Sequence, residues 1–411
     1  MNWQKSQKVC QELHRRDQSV QSATGLNTFF LVYVRRPLEL IIEPMNLVKP
    51  VTKYPNPAPI VHVKGSHREM GRQIGEQFRN LIQHSIDNAK AIVASDYENL
   101  QLDWEGAQIQ ARKYMPFAQE RYPQYVDELV GMAEGANVNY SELTVVNGLE
   151  GVTSDSLHLT KCTSLAVNQL YTADGHVLAA HNEDWLPDDE PDIYVVHAKP
   201  DDEPEFIAMT YGGLLPNVGF NSEGLAQCCD SVYPSDSRIG IPRVIVSRAV
   251  LGARTIGQAI RHTLVPLRAA GYNHLIAHES GEMYNVEVSA RHFDLLYGEE
   301  GCLAHTNNYL SQRMESIEAE PDELVHTRVR YFRAMHLLKE NHKHTFKTLE
   351  AILQDHVNYP DSICNHSIFD EIPVDREKTI VSLVMDLTAR KMVLAWGSPC
   401  TNSYHNYDMD L

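Results

Sequence analysis

The sequence predicts an α+β protein in which antiparallel sheets are covered by helical layers. Three observations carry this. Residues 60–150 place apolar side chains at helical spacing. After Cys162 the pattern changes to short alternating runs separated by turn residues. In that second part strands come in consecutive runs and helices in pairs, which suits sheets with outer helices better than a doubly wound parallel fold.

Taken in order, 60–63 reads as a strand. Ser66 to Glu69 then forms a capping box, whose side chains satisfy free N–H groups at a helix start. Met70, Ile74, Phe78, Leu81, Ile82 and Ile86 continue that helix, with Gly71 and Gly75 on one stripe where another backbone can approach closely. Further helices are expected over 104–119, 123–135 and 141–149, the second with Pro123 in its first turn and Gly135 near its end. Strands follow at 163–170, 176–181, 193–198, 206–211, 217–221 and 225–229. A helical pair is expected at 242–251 and 255–264, then strands at 274–278, 284–288, 293–297 and 303–306. Two helices (327–340 and 346–357) and a final hairpin (379–386 and 391–395) close the pattern.

The chain has 411 residues, 43% of them apolar, enough for one large domain or two. A formal net charge of −18 argues against nucleic-acid partners and anionic membrane surfaces. The apolar run Phe29 to Val34 is too short to span a bilayer, and the first twenty residues lack a signal-peptide core. Seven scattered cysteines without CxxC spacing, and no HExxH, give no expectation of a disulfide framework or metal site. A reducing, cytoplasmic setting is expected. Residues 1–58 read as an N-terminal extension ending in a Pro-rich linker or arm at 50–57.

Chemistry concentrates between Lys161 and Trp185. Cys162 heads one strand, a turn is expected at Ala173-Asp174-Gly175, and the returning strand ends at His181-Asn182-Glu183-Asp184. A hairpin would set the thiol beside a carboxylate. Other systems fit less well. Gly219 to Gly224 has one residue too many for a nucleophile elbow and lies between strands. No P-loop or strand-linked GxGxxG supports a nucleotide cofactor, and none is expected. At the end of another strand, Asn307 could donate an N–H to an oxyanion. The acidic run Glu183 to Glu205 reads as solvated loops.

These segments resemble a known family. K-C-T-S-L-A-V, D-G-H-V-L-A-A-H-N-E-D-W, G-F-N-S-E-G-L-A and H-T-N-N-Y-L, in this order, are similar to the acyl-CoA:6-aminopenicillanic acid acyltransferase family. So are G-S-H-R-E-M-G-R-Q-I-G, E-L-V-G-M-A-E-G-A, T-I-V-S-L-V-M-D-L and G-S-P-C, and the resemblance spans roughly 60–400. It implies a four-layer αββα N-terminal-nucleophile hydrolase made as a precursor that cuts itself between Lys161 and Cys162. The segments 1–161 and 162–411 would stay associated, with 59–161 as a mostly helical leading part, 162–411 as the catalytic part, and 59–411 as one domain.

Within that resemblance Cys162 is nucleophile and, once cut, base. Its freed α-amine has a reference pKa of about 7.7–8, close to working pH. Asp184 would orient the ammonium and thiol, and Asn307 would hold the oxyanion. Two departures are visible. Asp230 stands where the family places an Asn, so it would either disturb the oxyanion hole or read a substrate amine. Asn308 stands where the family often has His. Asp230 and Asn182 are the expected substrate contacts. The expected partner is a small-molecule amide, such as an aminoacyl or β-alanyl amide, or an acyl thioester in an acyltransferase. Homo-oligomerisation is compatible with this reading. The alternative of another class is an uncut, non-catalytic binding protein.

Overall fold

A helical block opens the described part of the chain. The structure, a computed structural model, describes residues 53–95, 101–153, 161–319, 324–366 and 377–409. Most of the expected extension 1–58 lies outside these residues. Its last six residues do not form a free linker. Lys53 Nζ sits 2.6 Å from Glu190, Tyr54 stacks on Trp396 with ring centroids 4.0 Å apart, and Ala58 is buried in the main core.

Strand β1 (Ile60–Gly65) leads into α1 (His67–Gln77), whose capping box is formed as expected by Ser66 and Glu69. The single helix read over 70–86 is split at Phe78 (φ −115°, ψ 30°). The Phe78 ring stacks on Tyr194 there, and α2 (Arg79–Ser95) continues in a new direction. The helix read over 104–119 is also two, α3 (Trp104–Arg112) and α4 (Met115–Arg121), because Pro116 lacks the N–H that would continue the first. Then come α5 (Pro123–Ala136), α6 (Tyr140–Val146) and α7 (Leu149–Val152).

The α1 and α5 backbones touch. A Cβ on Gly71 would lie 1.9 Å from the Glu128 carbonyl oxygen, and one on Gly131 would lie 2.0 Å from that of Arg68. The glycine stripe is therefore a backbone-to-backbone seam.

The remaining elements are β2 (Lys161–Val167), β3 (Leu178–Trp185), β4 (Ile193–Pro200), β5 (Phe206–Tyr211), β6 (Val218–Asn221) and β7 (Leu225–Asp230). Helices α8 (Arg243–Leu251) and α9 (Ile256–Thr263) follow, then β8 (Tyr272–His278), β9 (Met283–Val288), β10 (Phe293–Tyr297) and β11 (Cys302–His305). The chain continues through α10 (Gln312–Glu315), α11 (Val325–Glu340), α12 (Phe346–Leu353), β12 (Lys378–Asp386), β13 (Lys391–Trp396) and β14 (Tyr404–Asp408). One sheet has the order β1-β4-β5-β6-β7-β8-β9-β10, the other β11-β2-β3-β12-β13-β14. Among the described strand pairs only β1 with β4 is parallel.

The two sheets bury a shared core, with Ala166, Ala179 and Leu383 from one facing Phe220, Ala226 and Leu275 from the other. The outer face of the larger sheet packs under α1, α5 and α8, and that of the smaller one under α11 and α12. The layers run helix, sheet, sheet, helix: the αββα sandwich of N-terminal-nucleophile hydrolases. Strand β3 lies inside its sheet and is covered on both faces, so it is buried along its whole length and extends past the expected end at His181 to Trp185.

Candidate active site

The hairpin expected around Cys162 is present. Its register pairs Lys161 with Asp184, Cys162 with Glu183, Thr163 with Asn182 and Ser164 with His181. Paired residues share a face and neighbours alternate. Cys162, Ser164, Glu183 and His181 therefore face the other sheet. Lys161, Thr163, Asn182 and Asp184 face the helices α11 and α12.

This sorting changes the reading of the carboxylates. The one on the thiol's face is Glu183, whose oxygen, the Cys162 sulfur and a His181 ring nitrogen lie within 4.8 Å of one another. His181 Nε2 is 2.9 Å from Glu183, and its Nδ1 is 3.0 Å from Ser164 Oγ. Asp184 offers the thiol its backbone N–H, while its carboxylate lies on the opposite face. Burial pushes the Cys162 thiol well above its ordinary range, and the negative charge of Glu183, Asp230 and Asp184 adds to that. In the uncut chain the sulfur is therefore a thiol, not a thiolate.

Both backbone polar groups of Cys162 are held by side chains. Its N–H donates to Asn307 Oδ1 at 2.7 Å, and its carbonyl accepts from Arg330 Nη1 at 2.5 Å. Arg330, from α11, also donates to Asn307 Oδ1 at 2.8 Å and to Thr163 Oγ1 at 3.1 Å. Asn307 gives its own Nδ2 to the Ser231 carbonyl at 3.0 Å. In this arrangement its acceptor end addresses the Cys162 nitrogen, and its donor end is engaged elsewhere. Arg330 was not singled out in the sequence. A signal was available: Thr327, Arg330, Ala334 and Leu338 fall on one buried helical stripe, and a guanidinium on such a stripe needs a reason.

On the helical face, Asp184 Oδ1 accepts from Thr379 Oγ1 at 2.6 Å. Burial pushes its carboxyl up to about 7, against the opposing pull of Arg330 and the Thr379 hydroxyl. Burial likewise lifts Glu377 to about 8 despite Lys161. Lys161 Nζ lies 3.3 Å from Glu377 and 3.7 Å from Asp361.

The two expected substrate contacts are used inside the fold. Asp230 is fully buried between the sheets, accepting from Ser164 Oγ at 2.7 Å and Asn273 Nδ2 at 2.9 Å, with His305 Nδ1 at 3.5 Å. Burial opposes protonation of His305, yet Asp230 and Glu287 carry it up to about 9. Asn182 gives its Nδ2 to the carbonyls of Leu353 and Ile363 at 2.9 and 2.8 Å. Neither side chain lines the cleft beside Glu183, and Asn182 Oδ1 is buried without a hydrogen-bond partner. Asn308 is also buried, with its Nδ2 on the Tyr309 carbonyl at 3.1 Å.

One cleft is bordered by Glu183, and Cys162 is not among the residues that line it. It is about 550 Å3 in all, part of it open to solvent, and its walls include Glu183, Asp189, Trp185, Tyr211 and Tyr272. The acidic run is solvated only in part: Asp188, Asp201 and Asp202 are exposed, whereas Asp189, Glu190 and Asp192 are buried. Asp189 is buried and accepts from Trp185 Nε1 at 2.5 Å and Asn88 Nδ2 at 2.8 Å. Glu190 pairs with Lys53 and Lys378, and Asp192 lies 2.7 Å from His84. No donor set suited to a metal was read from the sequence, yet His356, Cys364, His366 and Cys400 converge behind Asp184.

A hairpin of the smaller sheet turns the Cys162 thiol toward the larger one, and similarity to known proteins gives the class: an enzyme that transfers or hydrolyses acyl groups at amide bonds. The family description acyl-coenzyme A:6-aminopenicillanic acid acyl-transferase matches residues 171–401, and the chain belongs to that family. It is similar to the acyl-coenzyme A:6-aminopenicillanic-acid-acyltransferase 40 kDa form of Emericella nidulans, 23% identical over 83% of this chain and 93% of that one. It is also similar to the beta-alanyl-dopamine/carcinine hydrolase of Drosophila melanogaster, 27% identical over 49% of this chain and 56% of that one. Among solved structures, penicillin V acylase from Agrobacterium tumefaciens gives a TM-score of 0.43 at 14% identity, covering 60% of this chain and 86% of that one. A conjugated bile acid hydrolase from Clostridium perfringens gives 0.39 at 13% identity, covering 61% of this chain and 97% of that one. None of the described helices is long and apolar enough to cross a membrane.

Proposed function

We propose that this protein cuts its own Lys161–Cys162 bond and then breaks a linear amide through a thioester on Cys162. The observation that supports this most is the pair of side-chain contacts on Cys162 itself: Asn307 on its nitrogen and Arg330 on its carbonyl. Asn307 holds the nitrogen that becomes the α-amine, and Arg330 fixes both Asn307 and the carbonyl on the far side of Cys162, so the residue that would attack is held from both ends.

In the uncut chain the nitrogen of Cys162 is an amide and takes no proton. Glu183, on the thiol's face and hydrogen-bonded to His181, accepts the thiol proton. The sulfur attacks the Lys161 carbonyl, the C–N bond breaks, and the nitrogen leaves as an amine with the proton that Glu183 took from the thiol. Water then hydrolyses the thioester, giving a Lys161 carboxylate and free Cys162. The new ammonium stays on Asn307 Oδ1. The new carboxylate forms on Lys161, which is paired across the hairpin with Asp184, and ionisation of Asp184 then repels it.

In turnover the α-amine takes the thiol proton and the thiolate attacks the substrate carbonyl. The leaving amine takes that proton back. Water, deprotonated by the same amine, releases the acid. An amine in place of water would give acyl transfer.

The cleft favours a substrate that carries both an ammonium group and an apolar or aromatic portion. Two carboxylates lie on its walls together with Trp185, Tyr211 and Tyr272, which suits a cation beside a ring. An aminoacyl amide of an aromatic amine meets both demands, in line with the relative named for beta-alanyl-dopamine and carcinine. The role of reading the amine passes from Asp230 to Glu183 and Asp189.

A denaturing gel of the purified protein beside Cys162→Ala tests the first step. Wild type splitting into two bands while Cys162→Ala stays whole is the expected result. One full-length band in both, or equal splitting in both, overturns self-processing. A screen of aminoacyl, penicillin-like and fatty amides, with water or amines as acceptor, then tests the substrate class. Preference for neutral acyl amides would remove the assignment of Glu183 and Asp189.

A further inference from the structure

We propose that His356, Cys364, His366 and Cys400 form a tetrahedral metal site of the zinc class, tying the loop after α12 to the turn between β13 and β14. The four ligand atoms all lie within 4.8 Å of one another. Nε2 of His366 is 3.0 Å from Nε2 of His356, 3.4 Å from Sγ of Cys364 and 3.6 Å from Sγ of Cys400. A zinc ion with bonds of about 2.0–2.1 Å to nitrogen and about 2.3 Å to sulfur, at tetrahedral angles, sets its ligands about 3.3–3.8 Å apart. The two nitrogen-to-sulfur spacings fall inside that range, and the 3.0 Å between the two imidazole nitrogens is about 0.3 Å short of it.

Hydrogen bonding alone does not account for the convergence. One imidazole nitrogen carries either one hydrogen or one lone pair, so Nε2 of His366 satisfies one of its three neighbours at a time. A single cation at the centre satisfies all four. Two thiolates and two imidazoles select zinc or another soft ion over magnesium or calcium. Cys364 is buried, Cys400 and His366 are partly buried, and His356 is exposed, so the cage has a closed floor and an open entry. The four residues are separated by seven, one and thirty-three positions, and the last interval spans β12 and β13, so no short motif marks them.

The clamped loop forms the wall behind the hairpin. The Ile363 carbonyl holds Asn182, and Asp361 approaches Lys161. The Asn365 N–H donates to Thr379 Oγ1 at 2.9 Å, and that hydroxyl donates to Asp184. The cation would therefore stiffen the support of Asp184 without touching the reacting atoms, a positioning role.

The test is metal analysis of the full-length protein purified under reducing conditions, dialysed after exposure to zinc. One zinc per chain is expected, and Cys400→Ser should lower it to roughly a tenth or less. Cobalt replacement gives a readout that a misfolded variant cannot imitate. The wild-type protein should bind one equivalent, with a thiolate-to-cobalt charge-transfer band and the visible bands of a tetrahedral ion. Substoichiometric zinc in folded wild type, unchanged zinc in Cys400→Ser, an octahedral cobalt spectrum, or a Cys364–Cys400 disulfide found by peptide mapping would each overturn the site.

Discussion

Replacing Asp184 by Asn in a Cys162→Ala background removes one proton-binding site while keeping every molecule uncut. In the folded chain this carboxyl titrates near 7 against a reference of 3.8. The fold thus binds the proton more tightly than the unfolded chain, so acid stabilises it. The penalty begins as pH rises through the unfolded value and is complete above the folded one. With about 1.36 kcal/mol per pH unit, it reaches about 4 kcal/mol above pH 8, and about 2 kcal/mol of that accrues between pH 5.5 and pH 8.5. Glu377 and other groups titrate in the same range, so the informative quantity is the difference between the two chains. Urea unfolding at both pH values should show Asp184→Asn/Cys162→Ala gaining on Cys162→Ala by about 2 kcal/mol more at the higher pH. In the processing-competent chain, Asp184→Asn should abolish turnover and slow self-cleavage. A stability difference independent of pH would refute the destabilised carboxylate. Normal turnover would remove Asp184 from the chemistry.

Other perturbations probe separate parts of the structure. Arg330→Met removes the side-chain donor to the Cys162 carbonyl and one of the two donors to Asn307 Oδ1. It should cost about 1–3 kcal/mol in urea unfolding and slow processing at matched folded fraction; processing at the wild-type rate would separate Arg330 from the cut. Gly71→Ala forces a methyl to within 1.9 Å of the Glu128 carbonyl oxygen, so α1 must move from α5. A loss of about 1–3 kcal/mol is expected, outweighing Ala's better helix propensity; an unchanged urea midpoint would contradict the seam.

Periodicity and turn chemistry make most of this fold legible, because each strand and helix buries at least one regular face. The capping box at Ser66 and the glycine stripe could be read for the same reason: they are local demands of the backbone. The helix breaks at Phe78 and Pro116 and the parallel partner of β1 were missed, since they depend on what lies across the core. The site divides along the same line. Cys162 and Asp184 stand at the ends of a predicted hairpin, and their juxtaposition follows from strand pairing. Which face each occupies follows from the register, and one position of alternation moves the carboxylate beside the thiol from Asp184 to Glu183. Asp230 and Asn182 looked available in sequence because burial between layers leaves no local mark. Arg330 and the cage around His366 combine residues more than thirty positions apart, and only the folded layers bring them together.

The distribution of charge around Lys161 and Cys162 suggests why cutting and opening would be one event. Before the cut, Lys161 is the cation nearest Glu377, and Asp184 and Glu377 are held largely protonated by burial. The cut adds an ammonium at Cys162 and a carboxylate at Lys161. The ammonium lies where Asn307 already accepts an N–H, and its positive charge lowers the cost of ionising Asp184. The new carboxylate gains no such partner on the helical face and meets two carboxyl groups instead. In the proposed cut the ammonium at Cys162 would be held where it forms, and the ionisation of Asp184 that it favours would repel the carboxylate at Lys161. Salt should weaken this repulsion only slightly, because the groups are buried and screening acts mainly between exposed charges. A release of the Lys161 end that slows several-fold in high salt, at an unchanged rate of bond cleavage, would show that expulsion depends on exposed charges and not on this buried set.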